Sequence, residues 1–376
     1  MKFRLLVCFS IILLPQLASG MDVITWMQKD QRKTAEGRIT ATHETGLILQ
    51  TTDGMMWPIT NDEIISRERN DQGFLLLNEA QLSQRLLVEL PAGFKIHKTA
   101  HYVICYNTSR AYAQWSGALY ERLYRGFVNY WSQRGIEIHD PAQPMVAVVF
   151  DNQASFAKYS ERELGAATSS VIGYYSMQTN RVAMYDLTGT SAQSGVRRST
   201  VSQINQVLSR PEAEWTVATI VHEATHQLAF NCGMQQRYAD IPLWISEGLA
   251  IYFETPDLGS SKGWRSIGKV NRTRLARAKQ VLSRSNQAVL PGLLSSDDSF
   301  RKAASALDSY ALAWSLNYYL LKRYPREYAN YLKQLSEREA LKDPPKGERI
   351  VEFNHYFGED LNQFERNFRK YLASLR

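Results

Sequence analysis

Cysteine is scarce in this chain. Of its three, Cys8 lies in the N-terminal apolar run, which leaves Cys105 and Cys232. Two thiols allow one bridge at most, and in an oxidising compartment a Cys105–Cys232 disulfide is one of two open readings. Long apolar runs are also scarce. Beyond the first residues no stretch is long and apolar enough to cross a membrane. Charge of one sign is only mildly in excess, with 44 basic against 37 acidic residues and a net charge of +7. That suits steering toward acidic surfaces at most. No nucleic-acid-binding motif accompanies it, so no nucleic-acid partner is expected. Histidine is sparse too, at seven, which gives weight to where each one falls.

What is present suits a packed protein: 44% apolar and 22% charged residues, over a length that suggests two or three domains. Residues 1–20 read as an export signal. Lys2 and Arg4 precede the apolar run Leu5–Leu14, and Ala18-Ser19-Gly20 offers small residues for cleavage. The mature chain is expected to start at Met21 and to be exported to a periplasmic, cell-envelope or extracellular place.

The sequence centres on TIVHEATHQLAFN, Thr219 to Asn231. His222 and His226 are four apart and so share one face of a helix, where two imidazoles can hold one metal ion. Glu223 is rotated off that line, placed to hold a water rather than the metal. Val217, Ile220, Val221, Leu228 and Phe230 supply the apolar faces of a buried helix. A second apolar helix is expected over IPLWISEGLAIYFE, Ile241 to Glu254. It carries Glu247, an oxygen donor for a three-ligand site that keeps a position open for water. Gly248 beside it is expected to let the two helices approach closely. Cys232, six residues past His226, is the rival third ligand.

HEATH followed by WISEGLA resembles the gluzincin metallopeptidases, with their H-E-x-x-H, a spacer, then W-x-x-E-G-x-A. The chain is similar to secreted peptidase MA-like proteins of the domain of unknown function 1570 type. The resemblance is close over these two stretches and loose from about residue 97 onward. It implies an α+β, zincin-like fold: a mixed sheet followed by a mainly helical half. It also implies Zn²⁺ held by His222, His226 and Glu247, with Glu223 as general base. In the aminopeptidase branch a Tyr at a comparable distance after the ligand Glu stabilises the oxyanion, which points to Tyr310, with His355 as rival. The family's sheet-edge strand pairs with substrate. The resemblance places that strand at Arg181 to Asp186, with Arg181, Val182, Ala183 and Met184 contacting substrate. That stretch lacks the G-x-M-E-N of aminopeptidases, which favours cleavage within a chain.

The rest of the chain falls into place around these stretches. Short strands at Gly37–Thr42, Gly46–Thr52 and Met56–Ile59, with a turn at Asp53-Gly54, give a small β domain over 21–70. It resembles the SLA1-homology, SH3-like type. His43 reads as a lone exposed polar residue. Residues 71–97 read as a linker with one helix, Asn78 to Leu90, stopped by Pro91-Ala92-Gly93. The zincin-like domain is expected over 98–376, with sheet and active-site helix in 98–232 and a helical subdomain in 233–376. Within it, Met145–Phe150 is apolar throughout and reads as a central strand. Val171–Ser176 and Arg181–Asp186 read as a hairpin, and Gly189–Thr200 as a loop. Ser260–Ser296 carries basic residues and no acid, a solvated face or a rim that selects acidic partners.

The expected function is a secreted zinc peptidase acting on peptides or proteins. Two rivals remain: a non-catalytic binding or scaffold protein of the cell envelope, and a metal-dependent hydrolase of cell-wall cross-links. An intact Glu223 speaks for catalysis, because a structural metal site needs no general base.

Overall fold

The computed structural model describes residues 20–188, 200–208, 210, 213–254, 267–358 and 360–376. The expected signal stretch 1–19, most of the loop 189–200 and part of the basic stretch, 260–266, lie outside the described residues. Among the described residues no helix is long and apolar enough to cross a membrane.

The N-terminal unit is a β-rich region of five antiparallel strands: β1 (Gly20–Gln28), β2 (Gln31–His43), β3 (Gly46–Thr51), β4 (Met56–Thr60) and β5 (Ile64–Gly73). Their spatial order is β4-β3-β2-β1-β5. Residues two apart share a face, so Ile24 with Trp26 and Leu47 with Leu49 meet Ile59 in one small core. Sequence reading found β2 to β4 but not β1 or the full β5. The β1–β2 turn is Lys29-Asp30, both left-handed at φ 49° and 60°, a tight hairpin without the Asn-Gly or Asp-Gly signature that announces one. Asp53-Gly54 does make the expected turn, with Gly54 at φ 84°.

Residues 71–97 are not a linker. Helix α1 (Glu79–Glu89) starts at the expected Asn78, which with Gln81 forms a capping box. Its Leu82 and Leu86 are buried against the second sheet, each burial worth roughly 2 kcal/mol. The segment then becomes β6 (Lys95–Lys98), which pairs with β7 (Tyr102–Tyr106). The α+β unit therefore begins near Asn78 rather than at 98.

The second sheet continues with α2 (Arg110–Ser132), β8 (Met145–Phe150), α3 (Gln153–Leu164), β9 (Gly173–Ser176) and β10 (Arg181–Tyr185). Strand order is β6-β7-β8-β10-β9. The centre, β7, β8 and β10, is parallel, and β9 returns antiparallel on β10. β8 is central, as its unbroken apolar run requires. Its residues alternate between two cores. Met145, Ala147 and Val149 face α2 and the later helices, while Val146, Val148 and Phe150 face α1 and α3.

This order corrects the substrate-strand expectation. β10 is bonded on both sides, so Arg181, Val182, Ala183 and Met184 are internal and buried. Arg181 is 3% exposed and donates two bonds to Glu89 at 2.6 and 2.8 Å. The free edge belongs to β9. The same alternation separates the cysteines. Cys105 faces the α1 side and Cys232 lies in the core of the opposite face, both as free thiols. Of the two open readings the free thiols hold, because the sheet stands between the cysteines.

The chain then becomes mainly helical: α4 (Val201–Leu208), α5 (Glu214–Asn231), α6 (Leu243–Phe253), α7 (Arg272–Arg284), α8 (Leu290–Ser295), α9 (Asp298–Arg301), α10 (Ala306–Arg323), α11 (Pro325–Ser336), α12 (Glu348–Phe357) and α13 (Leu361–Ser374). α10 is buried nearly all round, as its sequence predicts. Tyr328 and Tyr331 on α11 are fully buried packing residues. Gly248 does allow a close approach, but to α10 rather than to α5. A Cβ there would stand 2.0 Å from Asn317 Nδ2 and 2.6 Å from the Ala313 carbonyl. Being one residue past Glu247, it is rotated a quarter-turn or more away from the α5 side.

Candidate metal centre

α5 buries Val217, Ile220, Val221, Ala224 and Leu228 in the main core, which fixes its rotation. The remaining sides carry the polar groups. His222 and His226, one turn apart, point toward α6. Glu223, Gln227 and Asn231, again one turn apart, point toward the β9–β10 hairpin. Gln227 donates to the Val146 and Asn180 carbonyls at 3.0 and 2.8 Å, and Asn231 exchanges bonds with the Asn180 side chain. Glu223 accepts a 2.8 Å bond from the Tyr175 main-chain N–H on β9.

α6 brings Glu247 to the two imidazoles. His222 Nε2 stands 3.1 Å from Glu247 Oε2 and 3.1 Å from His226 Nε2, and His226 Nε2 stands 3.5 Å from Glu247 Oε1. One atom from each residue lies within 4.8 Å of the others. Donors about 2.0–2.1 Å from a tetrahedral zinc ion stand about 3.3 Å apart. The spacing fits, and a donor set of two imidazole nitrogens and one carboxylate oxygen is one that zinc accepts. The N-terminus of α6 is itself held down. Asp297 accepts from the Leu243 N–H at 3.0 Å and pairs with Arg349, while Asp240 pairs with Arg338 at 2.9 Å.

The second nitrogens are also engaged. His222 Nδ1 lies 2.7 Å from Glu254 Oε1, and His226 Nδ1 lies 3.3 Å from Ser246 Oγ. A carboxylate can only accept, so Nδ1 of His222 carries hydrogen and leaves Nε2 as the ligand atom. Burial opposes a charge on His222, yet Glu247 and Glu254 on its two sides hold its pKa well above the ordinary value. Burial likewise opposes ionisation of Glu247, but the imidazoles of His226 and His222 hold its carboxyl well below the usual range. The pocket thus favours an anionic carboxylate around a positive charge, whether proton or metal ion. Glu223 behaves oppositely. Burial pushes its carboxyl up by more than the neighbouring imidazoles pull it down.

Two pockets flank this cluster. On one side, about 210 Å³ is lined by His222, Glu223, Glu254, Arg274, Leu307 and Tyr310. On the other, about 380 Å³ includes Tyr175, His226, Phe230, Tyr238 and Glu247. Tyr310, the fifth residue of α10, lines the first of these pockets with Glu223. The charge of Glu247, burial and then Glu223 hold its phenol well above its ordinary pKa, so it stays a proton donor. Its rival His355 is exposed on α12 against Tyr356 and does not line either pocket. Cys232, the rival ligand, is buried at the end of α5 outside the donor cluster. The His43 side chain bonds Thr45 in the N-terminal sheet. Of the basic stretch, Arg274 reaches the cleft wall and Arg277 pairs with Asp308.

Sequence reading missed Glu254, Ser246 and Tyr175. Glu254 carried a signal, since it follows Glu247 by seven residues, two helical turns on one face. Tyr175 carried none, because its contribution is a main-chain N–H on an edge that only the strand order defines.

The family model described as "Protein of unknown function (DUF1570)" matches residues 216–342. That span contains His222, Glu223, His226, Glu247, Glu254 and Tyr310, while Tyr175 lies outside it. No curated protein matches the chain.

Proposed function

We propose that this chain is an exported zinc peptidase with a zincin-like fold, cleaving within peptide chains. The observation that carries the reading is the tetrahedral spacing of His222, His226 and Glu247 with a half-buried carboxyl, Glu223, lining the cleft one residue from the first histidine. A zinc ion held there supplies Lewis acidity toward the scissile carbonyl and lowers the pKa of the attacking water. Glu223 takes the proton of that water and later gives it to the leaving amine. A carboxyl raised by burial suits both tasks near neutral pH. Tyr310 donates its O–H to the developing oxyanion. Glu254 and Ser246 fix the two imidazoles.

Substrate in extended form would pair along the outer edge of β9, beside the Tyr175 N–H that Glu223 already engages. β9 reads Gly-Tyr-Tyr-Ser and has no carboxylate to capture a free amino terminus, in keeping with internal cleavage. The N-terminal sheet is read as SH3-like.

The test is zinc content and turnover of the protein beside Glu223→Gln. About one zinc per chain in both, with turnover only in the wild type, is expected. Turnover retained in the variant would remove Glu223 as the base. No zinc in either after reconstitution would replace the enzyme by the non-catalytic binding protein. A panel of peptides and muropeptides then separates a peptidase from a hydrolase of cell-wall cross-links.

A further inference from the structure

Arg237 is 8% exposed, and burial holds its pKa below the ordinary value. Among the described residues no carboxylate pairs with it. Its partners are main-chain carbonyls: Gly54 at 3.3 Å, from both terminal nitrogens, and Met177 at 3.1 Å. A buried guanidinium without a counter-charge is costly, and an apolar residue of similar size would pack there at less cost. What the arginine adds is a link. Gly54 belongs to the β3–β4 turn of the N-terminal sheet, and Met177 to the β9–β10 turn at the cleft.

The same junction is tied twice more. The Met56 N–H donates to the Gln178 carbonyl at 2.8 Å, and the Tyr238 hydroxyl to the Met56 carbonyl at 3.2 Å. The hairpin turn is thus held between α5, through Gln227 and Asn231, and the N-terminal sheet, through Arg237. Two residues before Met177, the Tyr175 N–H holds the Glu223 carboxylate, and the Tyr175 ring stacks on Phe230 at 5.8 Å.

We propose that Arg237 is a positioning residue that makes the N-terminal sheet a fixed support for the β9–β10 hairpin, and through Tyr175 for Glu223. The N-terminal sheet is then a working part of the site rather than an appended binding module. The kinetic consequence rests on Glu223 being the base, but the mechanical one does not.

The experiment compares wild type, Arg237→Met, Arg237→Lys and Tyr238→Phe in the full protein. Hydrogen–deuterium exchange, zinc content and, where turnover exists, kcat and KM are read. In Arg237→Met, amide exchange over residues 173–180 should rise about tenfold while α6 and α10 stay protected. Zinc content should not change. The value of kcat should fall about tenfold to a hundredfold with little change in KM, as a displaced catalytic group requires. Lysine, which can still donate to carbonyls, should restore most of both losses. Tyr238→Phe should give the same pattern more weakly, and it reads the junction if Arg237→Met does not fold. Unchanged hairpin exchange, or exchange raised evenly over the molecule, overturns the proposal. A wild type without turnover would sink the peptidase reading alone, since the exchange measurement still decides the clamp.

Discussion

At the candidate metal centre His222 is held between Glu247 and Glu254, and its Nε2 faces that of His226 at 3.1 Å. On the α1 and α3 face of the sheet, Arg181 is held by both oxygens of Glu89 and by the Tyr159 hydroxyl at 3.5 Å. Both pair groups of opposite charge, and sequence reading had singled out Arg181 as well as the two histidines and Glu247. They differ in what is left over. The Arg181 fork meets a matching carboxylate, so its charge is answered inside the protein. At the centre, two nitrogens and a carboxylate oxygen converge on one another beside an open cleft, an arrangement that could hold a metal ion. Burial of charge does not mark a site; convergent donor capacity beside a cleft does.

Substitutions should separate the two clusters. Glu247→Ala should abolish retention of zinc through dialysis, checked by metal analysis; zinc held as in wild type would remove Glu247 as a needed ligand. Tyr310→Phe should lower kcat about a hundredfold with zinc retained, the usual scale for one oxyanion donor. Unchanged kcat would make Tyr310 a packing residue. Glu254→Gln should weaken zinc affinity about tenfold to a hundredfold, as loss of a carboxylate behind a ligand imidazole does, read by competition with a chelator.

The smallest effect is expected at the closed pair. Glu89→Ala should cost about 1–2 kcal/mol, less than a fully buried pair because water reaches part of Glu89. It should leave zinc content alone, read by denaturant unfolding. The pair also predicts a pH dependence. Burial works against the charge of Glu89, yet Arg181 holds its carboxyl below the ordinary value. A folded pKa below the unfolded one adds stability that is full above the unfolded value and fades as pH falls through the folded one. The stability difference between wild type and Glu89→Gln should therefore shrink below about pH 4. A difference that grows toward low pH would contradict the assignment.

The parts of the site that lie within a helical turn or two were legible. His222, Glu223 and His226 follow from helical spacing, Glu247 was picked out on a second apolar helix that carries the family resemblance, and the helix start at Asn78 follows from its capping residues. Parts that depend on which element lies alongside were not. The hairpin 173–185 was visible, but not that β9 rather than β10 is outermost. Cys105 and Cys232 were visible, but not the sheet between them. Gly248 was rightly taken as a contact point, but its neighbour is α10.

The sequence by itself determined that His222 and His226 share one helix face with Glu223 beside them, because helical periodicity places residues one turn apart in space whatever else the chain does. Only the tertiary structure decided that Arg181 is closed off, that Tyr175 holds Glu223, and that Arg237 joins the N-terminal sheet to the cleft. Those contacts depend on strand order and on main-chain groups that every residue carries alike, so no residue type announces them.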